Sequence, residues 1–274
     1  MAMIIDGHAH ACGVYVNATS ITKYLNEHHI DKLVLCGGES KSRRNYRYPM
    51  LGNVIKSESL PYVWNRLIGI LIRRKRLNST IEQQNEAVYR IARRMNGRVI
   101  QAYWVDPMQE DCMKKLEEAY EKYQFKMIKL HQCWTEFDLL SRQSRAVFRF
   151  AKLHGLPVFI HLSDAMQARK LAKVADQFPE LPIIVAHLIG FSAITGHTES
   201  EEVYFDLSAP QLYSKETLKE AIGLVGAERL ILGSDHPYGC NNIERVLERL
   251  RKMNISDRDM DLICGGNLEQ LLHL

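Results

Sequence analysis

The chain has 274 residues, 46% hydrophobic and 25% charged, with a formal net charge of +4. That length supports one large core, of the size of α/β barrels at about 250 residues. The charge is too slight to imply nucleic acid unless it is concentrated in one place. The longest apolar stretch, Leu67-Ile68-Gly69-Ile70-Leu71-Ile72, falls far short of the roughly 20 residues of a membrane span. The first residues lack the basic, apolar, then small-residue order of a secretion signal, so a cytoplasmic location is expected. Six cysteines (Cys12, Cys36, Cys112, Cys133, Cys240, Cys264) include no Cys-x-x-Cys pair and read as free thiols, which argues against a finger-type structural zinc.

In chain order, the first element is the apolar pair Ile4-Ile5 leading into Asp6-Gly7-His8-Ala9-His10. Side chains alternate faces along a strand, so His8 and His10 project from one side, close enough to share an ion. Among 11 histidines such a pair is weak evidence alone, and the remaining ligands must come from elsewhere. Strand candidates fall at residues 3–6, 32–36, 99–105, 126–130, 157–161, 182–187, 203–207 and 229–234. Amphipathic stretches with helical spacing separate them, at residues 20–28, 80–95, 111–123, 141–154, 164–178, 215–225 and 243–253. Ser163-Asp164 reads as a helix cap after the fifth strand, and Asn96-Gly97 and Gly155 read as helix stops. Eightfold alternation of strand and helix is the signature of a (β/α)8 barrel, with an open doubly wound sheet as the alternative.

Several strands share a grammar. Pro157-Val158-Phe159-Ile160-His161 and Pro182-Ile183-Ile184-Val185-Ala186-His187 begin with Pro, run through apolar residues and end in His. Leu230-Ile231-Leu232-Gly233-Ser234-Asp235 ends in Asp, and Met127-Ile128-Lys129-Leu130-His131 ends near a Lys and a His. Continuous apolar runs of this kind are strands buried on both faces of a parallel sheet, whose functional groups gather at the carboxyl ends. On a closed barrel the first and eighth strands are neighbours, so His8, His10, His161 and Asp235 converge. Three imidazoles and a carboxylate suit zinc with one position open to water, whose pKa the ion lowers. Asp235 is then both ligand and proton acceptor. His187 orients the water, polarises the scissile group or protonates the leaving group.

One segment breaks the rhythm. Residues 37–79 form a connection far longer than a barrel loop, with ten Lys and Arg between Lys41 and Arg76 against Glu39 and Glu58. Emerging after a strand, it is expected over the catalytic face, as a lid whose Arg43, Arg44 and Arg47 hold an anionic small molecule. The plain alternative for Arg73-Arg74-Lys75-Arg76 is a solvated end of an exposed helix.

Asp6-Gly7-His8-Ala9-His10, Ile128-Lys129-Leu130-His131, Val158-Phe159-Ile160-His161, Ile184-Val185-Ala186-His187, Leu232-Gly233-Ser234-Asp235-His236-Pro237 and Gly266-Asn267-Leu268-Glu269-Gln270-Leu271-Leu272 together resemble the amidohydrolase superfamily. The branch they resemble is the amidohydrolase-related (amidohydrolase 2) group of metal-dependent TIM-barrel hydrolases and decarboxylases. The resemblance implies that His8, His10, His161 and Asp235 are metal ligands. It maps His187 onto a sixth-strand histidine that is catalytic with one metal and a ligand with two. Two departures stand out: His236 occupies a position where many relatives carry an aromatic ring, and Lys129 lies where some two-metal relatives have a carboxylated lysine. Lys129 is expected to be structural or a substrate contact, and His131 a substrate or proton-transfer contact.

The activity expected is hydrolysis of an amide, ester or lactone by a metal-dependent enzyme; non-oxidative decarboxylation on the same scaffold is the alternative. A third reading is a nucleic-acid-binding protein using the basic segment, whose affinity would fall steeply with salt. The number of metal ions and the oligomeric state, a homo-oligomer included, are not legible in the sequence.

Overall fold

The computed structural model describes residues 3–38, 44–74, 80–239 and 241–274. Eight strands form one parallel sheet in sequential order: β1 (Ile5–His10), β2 (Lys32–Cys36), β3 (Val99–Trp104), β4 (Met127–His131), β5 (Val158–His161), β6 (Ile183–Val185), β7 (Val203–Asp206) and β8 (Leu230–Ile231). The sheet curls until the chain after β8 meets β1. Gly7 N–H donates to the Leu232 carbonyl (2.9 Å), Asp235 N–H to the His8 carbonyl (2.7 Å) and His10 N–H to the His236 carbonyl (2.9 Å). A Cβ on Gly7 would lie 2.8 Å from the Leu232 carbonyl oxygen, so the seam closes only over a residue without a side chain. The expected (β/α)8 barrel is the architecture found.

Helices follow the strands: α1 (Ala18–Glu27), α2 (Leu60–Arg74), α3 (Ile81–Arg93), α4 (Cys112–Tyr123), α5 (Arg142–Leu153), α6 (Ala165–Gln177), α7 (Phe191–Thr195), α8 (Lys215–Val225), α9 (Asn242–Arg251), α10 (Asp257–Asp261) and α11 (Asn267–Leu272). Their starts carry the chemistry read from the sequence. Asp164 accepts from Gln167 N–H at 2.9 Å at the head of α6, and Thr80 with Gln83 forms a capping box on α3. Gly97 and Gly155 sit at φ +78° and +60°, the left-handed backbone that ends a helix. Among the described residues no helix is long and apolar enough to cross a membrane.

Alternation along the strands sorts side chains into two cores. One packs the barrel's outer face against the helices, with Leu33, Leu35, Ile128, Leu130, Val158 and Ile160 among its members. The other fills the barrel interior with Ile5, Val34, Ile100, Met127, Phe159, Ile184 and Ile231. Two residues beyond Met127 on the same face comes Lys129, and two beyond that His131; two beyond Phe159 comes His161. The period that packs the interior therefore also decides which polar groups stand above it at the carboxyl end.

Two differences from the sequence reading stand out. The first strand runs to His10 instead of stopping near residue 6, so both histidines are part of it, with an irregularity in register between Asp6 and Ala9. The other concerns the long basic segment, where in place of a bare loop stands α2, ending at Arg74 as the alternative reading of that basic cluster had it. Lys41, Arg43, Lys75 and Arg76 lie outside the described residues, as does Cys240.

Candidate metal centre

At the seam, β1, β7 and β8 bring their carboxyl ends together, and every imidazole there has one ring nitrogen tied down. His10 Nδ1 donates to the Gly37 carbonyl at 2.8 Å. Ser208, just past β7, spends its single hydroxyl hydrogen on Asp206 Oδ2. Its Oγ is then an acceptor for His187 Nδ1 at 2.8 Å and for His8 Nδ1 at 3.1 Å, with Asp206 Oδ2 a further 3.3 Å partner of His8 Nδ1. With their hydrogens on Nδ1, all three rings present an Nε2 lone pair to the same space. Anchoring of the far ring nitrogen by a carboxylate, hydroxyl or carbonyl is the way metal-ligating histidines are oriented.

What faces those lone pairs is another acceptor. Asp235 Oδ1 lies 3.4 Å from His10 Nε2 and 3.8 Å from His8 Nε2, and its Oδ2 lies 3.9 Å from His187 Nε2. Three imidazoles and a carboxylate converging in a buried site need protons or a cation among them, and the Lys129 ammonium, 2.9 Å from His8 Nε2, meets that need only on the His8 side. Donors about 2.1 Å from an ion at tetrahedral angles stand about 3.4 Å apart, a separation that His10 and Asp235 match while His8 and His187 stand wider of the carboxylate. His187 and Asp235 both adopt left-handed backbone, φ +57°, a conformation costly for residues with a Cβ and typical of functional sites. The Asp235 N–H bond to the His8 carbonyl, and a 3.3 Å bond from His187 N–H to Asp206 Oδ2, hold them there.

Burial shapes the ionisation. Desolvation, reinforced by Lys129 and the neighbouring rings, holds His8 well below the usual imidazole range; His161 and His131 are lowered in the same way. His187 is lowered to about 4, chiefly by burial against the opposing pull of Asp235. His10 goes the other way: against the desolvation of burial, Cys36 and Asp235 raise it to about 10, so an ion there must displace its proton, since neutral imidazoles are the form that binds a metal. Burial also lifts Asp206 to about 7 and Asp6 to about 6, in each case against hydrogen bonds that favour the carboxylate. Asp6 is held by Ser234 Oγ at 2.7 Å and Ser234 N–H at 2.8 Å, and so fixes the turn that carries Asp235.

The β4–β5 side is built differently. His131 and His161 stack at 4.3 Å, and His161 meets His187 edge-on at 5.1 Å. His161 Nδ1 contacts Cys133 Sγ at 3.5 Å. Among the described residues the groups whose ligand atoms lie within 4.8 Å of one another are His8, His10 and Cys36; His8, His187 and Asp206; and His131, Cys133 and His161. None of these groups contains Asp235; of the residues expected from the sequence, His8, His10 and His187 each come within 3.4–3.9 Å of its carboxylate, while His161 groups with His131 and Cys133. Lys129 reaches across the barrel to His8 Nε2 at 2.9 Å, over the Phe159 ring at 4.0 Å. His236 sits between the Tyr15 and Tyr24 rings at 5.0 and 5.4 Å, the place of an aromatic side chain.

The long insertion reaches this centre with tyrosines. Tyr238 packs edge-on against His10 at 5.3 Å; Tyr46 stacks on Tyr238 at 5.6 Å, Tyr48 on Tyr46 at 6.1 Å, and Trp64 of α2 closes the row at 5.0 Å. Arg44, Arg47 and Arg66 are exposed. A cavity of about 640 Å³ lies under α2, lined by Tyr62, Arg66, Gln132, Cys133, Asp164 and Gln167 among others, and Cys133 links it to His161. Sequence reasoning missed Asp206, Ser208 and Cys36, whose Sγ lies 3.3 Å from His10 Nδ1. The signal for the first two was present: an Asp-x-Ser at the end of an apolar strand.

The amidohydrolase family profile matches residues 69–274. No curated protein sequence matches this chain. Among solved structures, a probable 2-pyrone-4,6-dicarboxylic acid hydrolase from Acinetobacter baumannii, with citric acid bound, superposes with a TM-score of 0.69 at 12% identity, covering 99% of each chain. A 2,6-dihydroxybenzoate decarboxylase in complex with 2,6-dihydroxybenzoate gives 0.70 at 14% identity over 100% of each chain. A dihydroxybenzoic acid decarboxylase from Polaromonas sp. JS666, with manganese and 2-nitroresorcinol bound, gives 0.66 at 15%, covering 100% of this chain and 98% of that one. These likenesses extend the shared barrel to the full length, and the profile match through the His161, His187 and Asp235 segments makes this chain a member of the amidohydrolase family.

Proposed function

We propose that this protein is a metal-dependent hydrolase acting on an ester, lactone or amide bond of a small, planar, anionic molecule, with residues 37–79 as the lid of a single barrel domain. The observation that carries the reading is the convergence of three imidazole lone pairs on one carboxylate. His8, His10 and Asp235 would hold the ion with His161, and the nitrogen-rich set favours zinc. Such a cation, when bound, supplies Lewis acidity to a carbonyl oxygen and to water. Asp235 accepts the proton of the attacking water as the new carbon–oxygen bond forms. His187, its Nε2 turned toward Asp235 Oδ2, carries a proton on to the leaving oxygen or nitrogen as the old bond breaks. Lys129 and His131 flank the site as contacts for a substrate carboxylate. The described cysteines are all free thiols, which supports a reducing, cytoplasmic setting.

The row Tyr238, Tyr46, Tyr48 and Trp64 favours a second reading, non-oxidative decarboxylation of an aromatic acid, because stacked rings suit a flat substrate. The likeness to dihydroxybenzoate decarboxylases supports it too. One experiment separates the two. The purified protein is assayed in ¹⁸O-water with lactones, aryl esters and hydroxybenzoates, with its metal content measured before and after chelation. Hydrolysis leaves ¹⁸O in the acid product; decarboxylation releases carbon dioxide and leaves the organic product unlabelled. Turnover that survives complete removal of bound metal sinks both readings.

A further inference from the structure

Well away from the metal centre, where the lid is fastened to the barrel's outer layer, a second concave site collects positive charge. Arg245 and Arg249 on α9 and Lys252 at its C-cap occur at helical spacing, and Lys215 opens α8 beside them. With Met50 and Asn53 of the lid they line a pocket of about 260 Å³. Among the described residues the one acidic side chain lining it is Glu248, and its carboxylate is already paired with Lys252.

Arg249 is the telling member. It is 5% exposed, yet its guanidinium bonds only to neutral acceptors, the Tyr213 carbonyl at 3.1 Å and Asn53 Oδ1 at 2.9 Å, with the Tyr213 ring 5.3 Å away. Arg245 is half-buried and donates to Met50 Sδ at 3.4 Å. Among the described residues, Lys215, Arg245 and Arg249 form no ion pair. Buried Arg249 and half-buried Arg245 stand together with the exposed Lys215 and Lys252 and, among the described lining residues, face one carboxylate, Glu248, which Lys252 already holds, so an outside anion is favoured. The volume lies just below the roughly 300–1,000 Å³ of pockets for drug-sized ligands, so the anion is small. Two guanidinium groups and two ammonium groups suit a phosphate, which accepts several charge-assisted bonds at once.

We propose that this pocket binds a small phosphate-bearing anion, using Arg245, Lys252 and Lys215 at its mouth against the buried Arg249. The site also joins lid to barrel. Gly52 donates its N–H to the Gln211 carbonyl at 2.8 Å and lies flush on the Tyr213 backbone, where a Cβ would clash, and Arg249 clamps Tyr213 to Asn53. An anion here strengthens the fastening of the segment that carries Tyr46 and Tyr48.

The test is a titration of the metal-loaded, full-length protein with inorganic phosphate and, separately, methyl phosphate. Thermal unfolding is followed at constant ionic strength against chloride. The midpoint is expected to rise with either titrant; tighter binding of methyl phosphate identifies a phosphate ester as the occupant, and equal or tighter binding of inorganic phosphate identifies the free ion. The double variant Arg245→Gln/Lys252→Gln is expected to weaken binding about tenfold or more. Glu248→Gln, which removes the competing carboxylate, is expected to tighten it. Phosphate stabilisation no greater than that of chloride, or equal phosphate affinity in wild type and both variants, overturns the proposal, the latter by moving the bound phosphate elsewhere, such as the metal centre.

Discussion

The two sides of the barrel mouth are organised on different principles. Toward β1, β7 and β8 each imidazole has its Nδ1 committed: His10 to the Gly37 carbonyl, His8 and His187 to Ser208 and Asp206. Toward β4 and β5, His131 and His161 lean on each other and on Cys133, and the space beyond them opens into the 640 Å³ cavity. The first arrangement pre-orients lone pairs and so lowers the cost of gathering them around a cation. The second leaves room for a molecule to arrive. On the proposed function, the first side would hold the ion, with His161 reaching in from the second, and the second side would receive the substrate.

Asp235→Asn should have the largest effect, lowering turnover by about 10²–10⁴-fold while metal analysis finds the ion retained by the histidines. His131→Ala, on the receiving side, should leave metal content unchanged and raise KM more than it lowers kcat. If His131→Ala removes the metal, the division between the two sides fails. Asp206→Asn, which touches no reacting atom, should weaken metal affinity by about 10–100-fold in a chelator competition, because it loosens the Ser208 hydroxyl that orients two rings.

A third effect concerns stability. Burial raises Asp6 from 3.8 to about 6, so the native state holds this proton more tightly than the unfolded chain does. The associated stability is fully present below pH 3.8 and is lost as pH rises through about 6. In chelated protein that loss amounts to about 3 kcal/mol, and Asp6→Asn should flatten it in denaturant titrations run from pH 4 to 7. The smallest effect should come from the lid: Tyr48→Ala removes one ring of the stacked row and should raise KM by about 2- to 10-fold, with metal affinity untouched. A larger change in metal affinity than in KM would show that the tyrosine row braces the holding side instead of meeting substrate.

Much of this layout is legible in the residue order. Pro157 through His161 and Pro182 through His187 announce buried parallel strands whose last residue carries chemistry, because a run apolar on both faces can only lie inside a covered sheet. The seam is less legible. Asp206 and Ser208 look like an ordinary strand end until barrel closure brings the end of β7 within reach of His8 on β1, 198 positions away. The lid is the least legible part: ten basic residues suggest arginines turned inward, whereas the described part turns Tyr46 and Tyr48 in and leaves Arg44 and Arg47 exposed. Composition reports how much charge a segment has; packing decides which face it lies on.

By itself, then, the amino-acid sequence determined the alternation that builds the barrel, the interior period linking Met127 to Lys129 and Phe159 to His161, and the carboxyl-end location of every candidate ligand. These are local properties, set by backbone geometry and by which side chains tolerate burial. Only the tertiary structure decided that three rings turn their Nε2 atoms toward Asp235 and that His161 keeps company with His131. It alone left Arg249 buried with no carboxylate paired to it among the described residues. Those outcomes depend on contacts between residues from about thirty to more than two hundred positions apart, and a one-dimensional pattern carries no distances of that kind.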